Sequence, residues 1–227
     1  MFCSHELEED DDRGTCKYCL EKLPFIVRPC ERCGGDRLDS NTGVCFNCKK
    51  RNHEFVRAVS VMSYTDKVPK VLHKFKYLGR EHYGKHLAKF MAQAFALSGI
   101  EVDIVTEVPM YPIREEKRGY NQATILAKEV GEFLGIKYLP LCEKTVDNLS
   151  QASLDFKKRQ ENVKDVYKFD KAYRKEIKGK SVLVVDDIFT TGATTDEISK
   201  VLKSAGASAV YVLTFAHSLG EIKDKIK

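Results

Sequence analysis

The sequence lacks the features that mark several common classes of protein. Its 227 residues contain no apolar run of about 18 residues, so no membrane-spanning helix and no membrane insertion are expected. The first residues, MFCSHELEEDDDR, have neither the basic region nor the apolar region of a secretory signal peptide, which favours a cytoplasmic protein. The phosphate-loop pattern GxxxxGKS or GxxxxGKT occurs nowhere, and this argues against a nucleoside triphosphatase that depends on it.

The net charge of +5 is unevenly spread along the chain. Residues 1–55 carry 9 Lys and Arg against 11 Asp and Glu, whereas residues 56–227 carry 29 against 22. A basic larger part suits ligands that bear phosphate, and a solvated basic surface explains the same charge equally well. With 43% hydrophobic residues the chain can bury a core.

Eight cysteines are present, and seven of them fall within the first 48 residues. Nothing in the sequence points to an oxidising compartment, so metal binding explains them better than disulfides do. Two CxxC pairs, separated by 11 residues, are formed by Cys30, Cys33, Cys45 and Cys48. Two such turns can point four thiolates at one Zn²⁺, and an all-cysteine set is typical of a closed structural site. The alternative is a group of free, buried thiols.

A third CxxC pair, Cys16 and Cys19, has no matching fourth pair. Cys3 and His5 lie upstream of it, across an acidic run, so these four residues are candidates for a second zinc site. Cys142 stands alone and is interpreted as a core or surface thiol.

After the cysteine-rich segment, strand patterns alternate with helix patterns. Strands are predicted at 57–64, 102–108, 181–185 and 209–215, and helices at 87–97, 122–134 and 194–205. The last two strands are almost wholly apolar, as in strands that are buried on both faces of a parallel sheet. The alternation therefore predicts an α/β fold, with a mostly parallel sheet flanked by helices.

The segment SVLVVDDIFTTGATT, residues 181–195, carries the most specific chemistry. An apolar strand is followed by Asp186 and Asp187, then by a loop of threonines and one glycine, and then by a helix. Backbone N–H groups of such a loop, together with the positive end of the helix dipole, can hold a phosphate. The two carboxylates could accept hydrogen bonds from sugar hydroxyls. The plain alternative is a strand-to-helix turn with capping threonines and solvated aspartates.

Residues 182–194 resemble the motif by which type I phosphoribosyltransferases bind 5-phosphoribosyl-1-pyrophosphate (PRPP). The resemblance implies that the loop holds the 5′-phosphate and that Asp186 and Asp187 hold the ribose hydroxyls, next to the reaction centre. The loop residues concerned are Thr190, Thr191, Gly192, Ala193 and Thr194.

A second segment, VPMYPIREEKRGYNQA at residues 108–123, offers Arg114, Arg118 and then Gly119. Guanidinium groups suit bidentate contacts with phosphate oxygens, and the segment resembles the pyrophosphate loop of the same fold. The sequence of this segment resembles the ComF family of competence-associated proteins even more closely. HKFKYLGR at 73–80 and the cysteine pairs resemble the same family. This resemblance implies a zinc-ribbon-like module over residues 1–55 and a phosphoribosyltransferase-like domain over residues 56–227.

The resemblance implies Mg²⁺-dependent transfer of phosphoribosyl from PRPP to an acceptor that the sequence does not identify. The segment 147–171 contains no Gly or Pro and is highly polar, so it is interpreted as a long mobile loop or ribbon. The resemblance assigns Gln151, Arg159 and Asn162 to a lid in this loop. No general base is indicated, and His217 is interpreted as structural.

The segment Lys67–Lys89 combines seven Lys and Arg with Phe75, Tyr77 and Tyr83. Such a surface could bind single-stranded DNA, with the zinc module in a supporting role. The alternative is an ordinary half-buried element, but the ComF resemblance favours DNA, because that family is linked to DNA uptake. It also leaves room for partners among the proteins of the competence machinery. Two functions stay open: an enzyme, and a protein that senses PRPP or binds single-stranded DNA without turnover.

Overall fold

The fold was analysed in a computed structural model of the chain. It describes residues 1–2, 15–37, 42–147 and 166–218. Five residues that the sequence marked as candidates lie outside the described residues, namely Cys3, His5, Gln151, Arg159 and Asn162.

Five strands form one parallel sheet, and two more form a small antiparallel ribbon. The sheet has the order β1-β7-β6-β2-β3, and the ribbon pairs β4 with β5. The strands are β1 (Arg57–Ser63), β2 (Ile104–Glu107), β3 (Lys137–Tyr138), β4 (Cys142–Lys144), β5 (Tyr167–Phe169), β6 (Ser181–Phe189) and β7 (Ala209–His217). The predicted mostly parallel sheet is confirmed.

Helices cover both faces of the sheet. They are α1 (Lys17–Leu20), α2 (Phe46–Lys50), α3 (Val68–Tyr77), α4 (Tyr83–Leu97), α5 (Pro112–Arg118), α6 (Gln122–Leu134), α7 (Arg174–Ile177) and α8 (Ala193–Ala205). The predicted helix 122–134 has these bounds because Asn121 caps its first turn and Gly135, at φ 66°, ends it. Among the described residues, no helix combines the length and the apolar character needed to cross a membrane.

The core has two halves, one on each face of the sheet. Alternate residues of β6 serve the two halves: Leu183 and Val185 belong to one, and Val182 and Val184 to the other. All four side chains are fully buried. The continuous apolar run at residues 182–185 of β6 is therefore explained by helices on both faces of the sheet.

The cysteine-rich segment packs directly on the sheet. Cys30, Cys33 and Cys48 belong to the core half that also contains Val182 and Val184, and the backbone N–H of Ala58 in β1 donates to the carbonyl of Arg32. This contact lies across the predicted boundary at residue 55, which stays a prediction as a division between domains.

Part of the predicted polar loop forms regular structure. Its last residues form β5, which pairs with β4, followed by a short 3₁₀ turn at Lys171–Tyr173. Residues 148–165 lie outside the described residues.

At Gly34 the cysteine-rich segment closely approaches the backbone of β1. A Cβ at Gly34 would lie 2.7 Å from the carbonyl oxygen of Ala58 and 2.9 Å from the nitrogen of Ser60. Both are backbone atoms of β1, so neither can rotate away. The residue also has φ 71°, which disfavours any side chain.

We expect Gly34→Ala to lower the free energy of unfolding by about 2–4 kcal/mol, because it adds both a clash and backbone strain. Gly99→Ala is the matched control, since Gly99 has φ 68° but nothing within 4 Å of its Cβ position. The control should lose only about 1 kcal/mol. Urea unfolding of the two variants measures the difference. Equal losses in the free energy of unfolding would show that the close approach at Gly34 does not contribute to the loss.

Candidate functional site

A cavity opens at the carboxyl ends of β2 and β6. The chain continues from β2 towards β3 on one side and from β6 towards β7 on the other, so the sheet changes its winding direction here. Ligands of open α/β sheets bind at such points. The cavity has a volume of about 460 Å³, within the range of small-molecule sites.

Asp186 and Asp187 line this cavity, as predicted. The prediction of a strand ending at Val185 is wrong, because β6 continues to Phe189. The two aspartates therefore belong to the last part of a strand whose side chains are mostly buried. Asp186 is half-buried and Asp187 is buried, so their charges need compensation from the protein or from a ligand.

Lys76 supplies part of that compensation. Its Nζ lies 2.5 Å from Oδ2 of Asp187, and the side chains are 23% and 10% exposed. Burial lowers the pKa of Lys76, but the charge of Asp187, the hydrogen bond to it and the charge of Asp186 together outweigh burial and raise the pKa. Sequence reasoning had assigned Lys76 to the DNA surface. The helical spacing of α3 indicates this position, since Lys76 follows the buried Leu72 by one turn and so continues the buried stripe of the helix.

Asp186 is strongly affected by its surroundings. Burial is the main cause that raises its pKa, and the neighbouring charge of Asp187 raises it further. Lys76 acts in the opposite direction. The carboxyl group is therefore easier to protonate than an ordinary aspartate, and a positively charged or hydrogen-bonding ligand would favour its ionised form.

The threonine-rich loop lies beside the aspartates. Gly192 has φ 78° and immediately precedes α8, which begins at Ala193 and not at Thr194 as predicted. Thr191 accepts a hydrogen bond from the N–H of Ala193, and Thr195 donates to the carbonyl of Gly192. The loop and the start of α8 thus form a turn at the positive end of a 13-residue helix.

Most of the predicted phosphate loop lies in the cavity wall. Four of its five predicted residues do so, namely Thr190, Gly192, Ala193 and Thr194.

The segment that was predicted to be a pyrophosphate loop is mostly helical. Pro112 starts α5 and Gly119, at φ 90°, ends it, which fits the preferences of these residues at helix ends. Arg114 and Arg118 still line the cavity. Arg114 pairs with Asp147 at 2.5 Å, and Arg118 donates to Gln122 at 2.7 Å. Both guanidinium groups are thus held at the cavity by acceptors within the protein.

The ribbon β4–β5 contributes Lys144 and Tyr167 to the cavity wall, neither of which was predicted. Burial lowers the pKa of Lys144, and the nearby charge of Arg114 lowers it further. Cationic groups that repel one another indicate a positive potential, which an anion would relieve.

The predicted DNA surface is only partly exposed. Phe75 is fully buried and Tyr83 is half-buried, so neither can stack freely on a base. Tyr77 is 57% exposed, and the guanidinium of Arg118 lies 4.8 Å from its ring centroid. Of the three aromatic residues proposed to stack on bases, only Tyr77 is therefore exposed.

The CxxC pairs Cys30/Cys33 and Cys45/Cys48 form a compact cluster. The sulfur atoms of Cys30, Cys33, Cys45 and Cys48 all lie within 4.8 Å of one another. The Cys33 and Cys45 sulfurs are 3.8 Å apart, close to the edge of about 3.8 Å of a tetrahedron with Zn–S distances of about 2.3 Å. Hydrogen bonds from the other three thiols hold the pKa of Cys30 well below its usual range, which favours the thiolate that binds metal. The cluster could hold one Zn²⁺.

The other predicted metal ligands are only partly described. Cys19 is buried, with Lys67 Nζ 3.7 Å from its sulfur, and Cys16 is half-buried. Since Cys3 and His5 lie outside the described residues, a second zinc site stays a prediction. Cys142 is a buried thiol.

His217 is buried at the end of β7, and its ring stacks on Phe189 at 4.9 Å. Burial lowers its pKa to about 4, which agrees with a structural role.

Comparison with known proteins gives a family match over the second half of the chain and relatives of low identity over most of its length. The sequence pattern of the family described as phosphoribosyl transferase domain matches residues 116–227. The chain is 28% identical to Competence protein F of Haemophilus influenzae over 211 residues, which cover 90% of this chain and 91% of that protein. It is 26% identical to DNA utilization protein YhgH of Salmonella typhimurium, with 91% of each chain covered.

One similar solved structure is the glutamine PRPP amidotransferase of B. subtilis complexed with ADP and GMP. It is 26% identical, and the match covers 62% of this chain and 30% of that one, with a TM-score of 0.41.

We expect Lys76→Met to destabilise the protein by about 3 kcal/mol near pH 8, because it leaves buried carboxylates without a partner. Since the pKa of Asp186 is already raised in the folded state, the folded protein binds more protons than the unfolded chain above about pH 4. Stability therefore falls as pH rises, and removing Lys76 steepens this fall. Urea unfolding at about pH 5 and pH 8 should show the larger loss at the higher pH.

Lys180→Met is the control for this experiment, because it removes an exposed pair with Asp103 at the other end of the sheet. It should change stability little at either pH. A loss in Lys76→Met that does not depend on pH would contradict the electrostatic explanation.

We expect Cys48→Ser to remove one equivalent of bound zinc, since three thiolates hold Zn²⁺ less tightly than four. The control Cys142→Ser changes a buried thiol outside the cluster and should keep the full zinc content. Elemental analysis of the purified proteins gives the stoichiometry. Unchanged zinc in Cys48→Ser would rule out the four-cysteine site, and a remaining equivalent would support a second site.

Proposed function

Because this chain is a homologue of Competence protein F and YhgH and carries a phosphoribosyl transferase domain, we propose that its cavity binds PRPP for phosphoribosyl transfer. One observation supports this most strongly. A helix start suited to phosphate, a carboxylate pair and two arginines line a single cavity, and each of these suits one of the three parts of PRPP.

The 5′-phosphate would bind at residues 190–194, where Gly192 lets the backbone turn towards the cavity at the start of α8. The ribose hydroxyls would donate to Asp186 and Asp187. Lys76 would balance the negative charge of Asp187 while the ribose hydroxyls donate to it.

Arg114 and Arg118 would bind the pyrophosphate. Their present partners, Asp147 and Gln122, are protein groups that a phosphate oxygen can replace or share. Lys144, on the facing ribbon, adds a further positive charge to the cavity.

In the reaction, the bond between C1 of the ribose and the pyrophosphate oxygen breaks, and pyrophosphate leaves with the electron pair. The acceptor nucleophile bonds to C1 and gives up its proton. Positive charge develops on the ribose ring during this step, and the nearby aspartates would stabilise it. Mg²⁺ carried with PRPP would supply further neutralisation of the leaving group.

The names of the relatives connect the family to competence and to DNA utilization, and we extend that connection to this chain. Direct binding of single-stranded DNA is the second candidate function. The observation that favours it is the exposed end of α3 and the turn after it, where Lys74, Tyr77 and Arg80 face solvent. In that case PRPP would act as a sensed ligand, without turnover.

The first test is calorimetric binding of PRPP with Mg²⁺ to the wild type and to Asp186→Asn/Asp187→Asn. We expect micromolar binding by the wild type and a loss of at least about 100-fold in the variant, because two acceptors of ribose hydroxyls are weakened. Asp103→Asn is the matched control, since Asp103 is exposed at the amino ends of the strands, opposite the cavity. It should bind as the wild type does.

The absence of binding to folded, zinc-loaded wild type would refute the PRPP site and would favour the DNA-binding alternative. Binding without release of pyrophosphate in the presence of candidate acceptors would favour sensing over transfer.

A further inference from the structure

The segment that follows the last cysteine of the cluster lies against the proposed phosphate loop. Residues 51–54 connect α2 to Phe55 and the start of β1. Arg51, His53 and Glu54 contact the loop and the first turn of α8, more than 135 positions away in sequence. This segment is the direct link between the cysteine cluster and the proposed phosphate site.

Asp196 is the centre of this contact. Arg51 donates to its Oδ2 at 2.7 Å, and the backbone N–H of Glu54 donates to its Oδ1 at 2.9 Å. Nδ1 of His53 lies 3.1 Å from both carboxylate oxygens. The Asp196 side chain is 13% exposed, and both of its carboxylate oxygens contact the segment.

Arg51 also contacts the loop directly. Its second nitrogen, Nη1, donates to the carbonyl of Thr191 at 2.8 Å. That hydrogen bond holds the peptide that precedes Gly192, where the chain turns into α8. The same guanidinium therefore joins the loop to the helix.

The position of Asp196 creates an electrostatic problem for phosphate binding. It lies in the first turn of α8, the end of the helix whose positive dipole favours anions. A free carboxylate there would repel a phosphate at the same helix end, because like charges in a poorly solvated site interact over several ångströms. Arg51 neutralises this charge, and it is not among the residues that line the cavity.

The segment is itself held in place by the cysteine cluster and by aromatic packing. Sγ of Cys48 lies 3.6 Å from Nε2 of His53, and the His53 ring stacks on Phe55 at 4.6 Å. A Cβ at Gly192 would lie 2.8 Å from Cε1 of His53. The loop glycine is thus required by the close approach of this segment as well as by its φ.

We propose that Arg51 is a positioning residue for the 5′-phosphate: by neutralising Asp196, it allows the start of α8 to accept a phosphate. The proposal rests on the proposed function and adds the cysteine module as a part of the same site. Arg51 acts through Asp196 and does not itself touch the ligand.

The test uses three ligands, PRPP with Mg²⁺, ribose 5-phosphate and pyrophosphate, and measures their dissociation constants by calorimetry. Arg51→Ala should weaken ribose 5-phosphate and PRPP about tenfold or more, because Asp196 is left uncompensated. Pyrophosphate should change less than about twofold, since it would bind at Arg114 and Arg118. Zinc content and urea unfolding are measured for every variant, so that loss of the metal or of the fold is recognised.

The decisive variant is the double change Arg51→Ala/Asp196→Asn. If Arg51 works by neutralising Asp196, removing the carboxylate charge should restore ribose 5-phosphate affinity to within about threefold of wild type. Asp196→Asn alone should bind at least as tightly as the wild type. Lys203→Ala is the matched control, because Lys203 pairs with Glu54 at the same contact but not with Asp196.

Each contrary result has a distinct meaning. A double variant as weak as Arg51→Ala would overturn the proposal, since Arg51 would then act other than through Asp196. Equal weakening of pyrophosphate, or no weakening at all in Arg51→Ala, would overturn it as well. If the wild type binds none of the three ligands, the proposed function itself fails and the proposal fails with it.

Discussion

The site depends on the burial of two adjacent carboxylates at the end of the central strand β6. A strand that is apolar on both faces delivers Asp186 and Asp187 into a region with little water, where a lone charge is costly. Lys76 offsets that cost from α3, an element more than 100 residues earlier in the chain. Because Lys76 can reach Asp187 only if α3 packs against the sheet, the ion pair makes the arrangement of the core and the electrostatics of the cavity interdependent.

The same principle explains the place of the cysteine-rich segment. A cluster of four cysteines could be an independent appendage, but here three of them lie in the core of the sheet. The segment that leaves the cluster then supplies Arg51 to the first turn of α8. In both cases a carboxylate close to the cavity is neutralised by a cation from a distant part of the chain. The residues that set the charge around the cavity are therefore distributed over distant parts of the chain.

The parts that could be predicted from sequence are those encoded by local patterns. The apolar run 181–185 identified a strand buried on both faces, and the CxxC spacing identified the cluster, because both patterns reflect short-range geometry. The parts that were missed depend on packing between distant elements. Phe75 was offered as a stacking residue but is in the core, and Pro112 starts a helix where a loop was predicted.

Lys76 and Arg51 show most clearly why sequence reasoning was incomplete. Each occurs in a run of basic residues, and a run of this kind has the same composition whether it faces solvent or a buried carboxylate. Composition does not distinguish an exposed lysine from one that contacts a buried carboxylate. Lys74 is exposed, whereas Lys76, two positions later, contacts Asp187. The apolar stripe of α3 contained the relevant signal, because Lys76 falls on that stripe and Lys74 does not.

The charge balance of the cavity bears on the choice between a simple phosphate site and a PRPP site. Four basic residues line it, Lys76, Arg114, Arg118 and Lys144, against two carboxylates, Asp186 and Asp187. The local excess of two positive charges would neutralise one phosphate group, which carries about two negative charges. PRPP carries roughly twice that or more, so about two further positive charges are needed, the amount that one divalent cation provides. Binding of PRPP at this cavity, as proposed, would therefore require a divalent cation in addition to the charges of the protein.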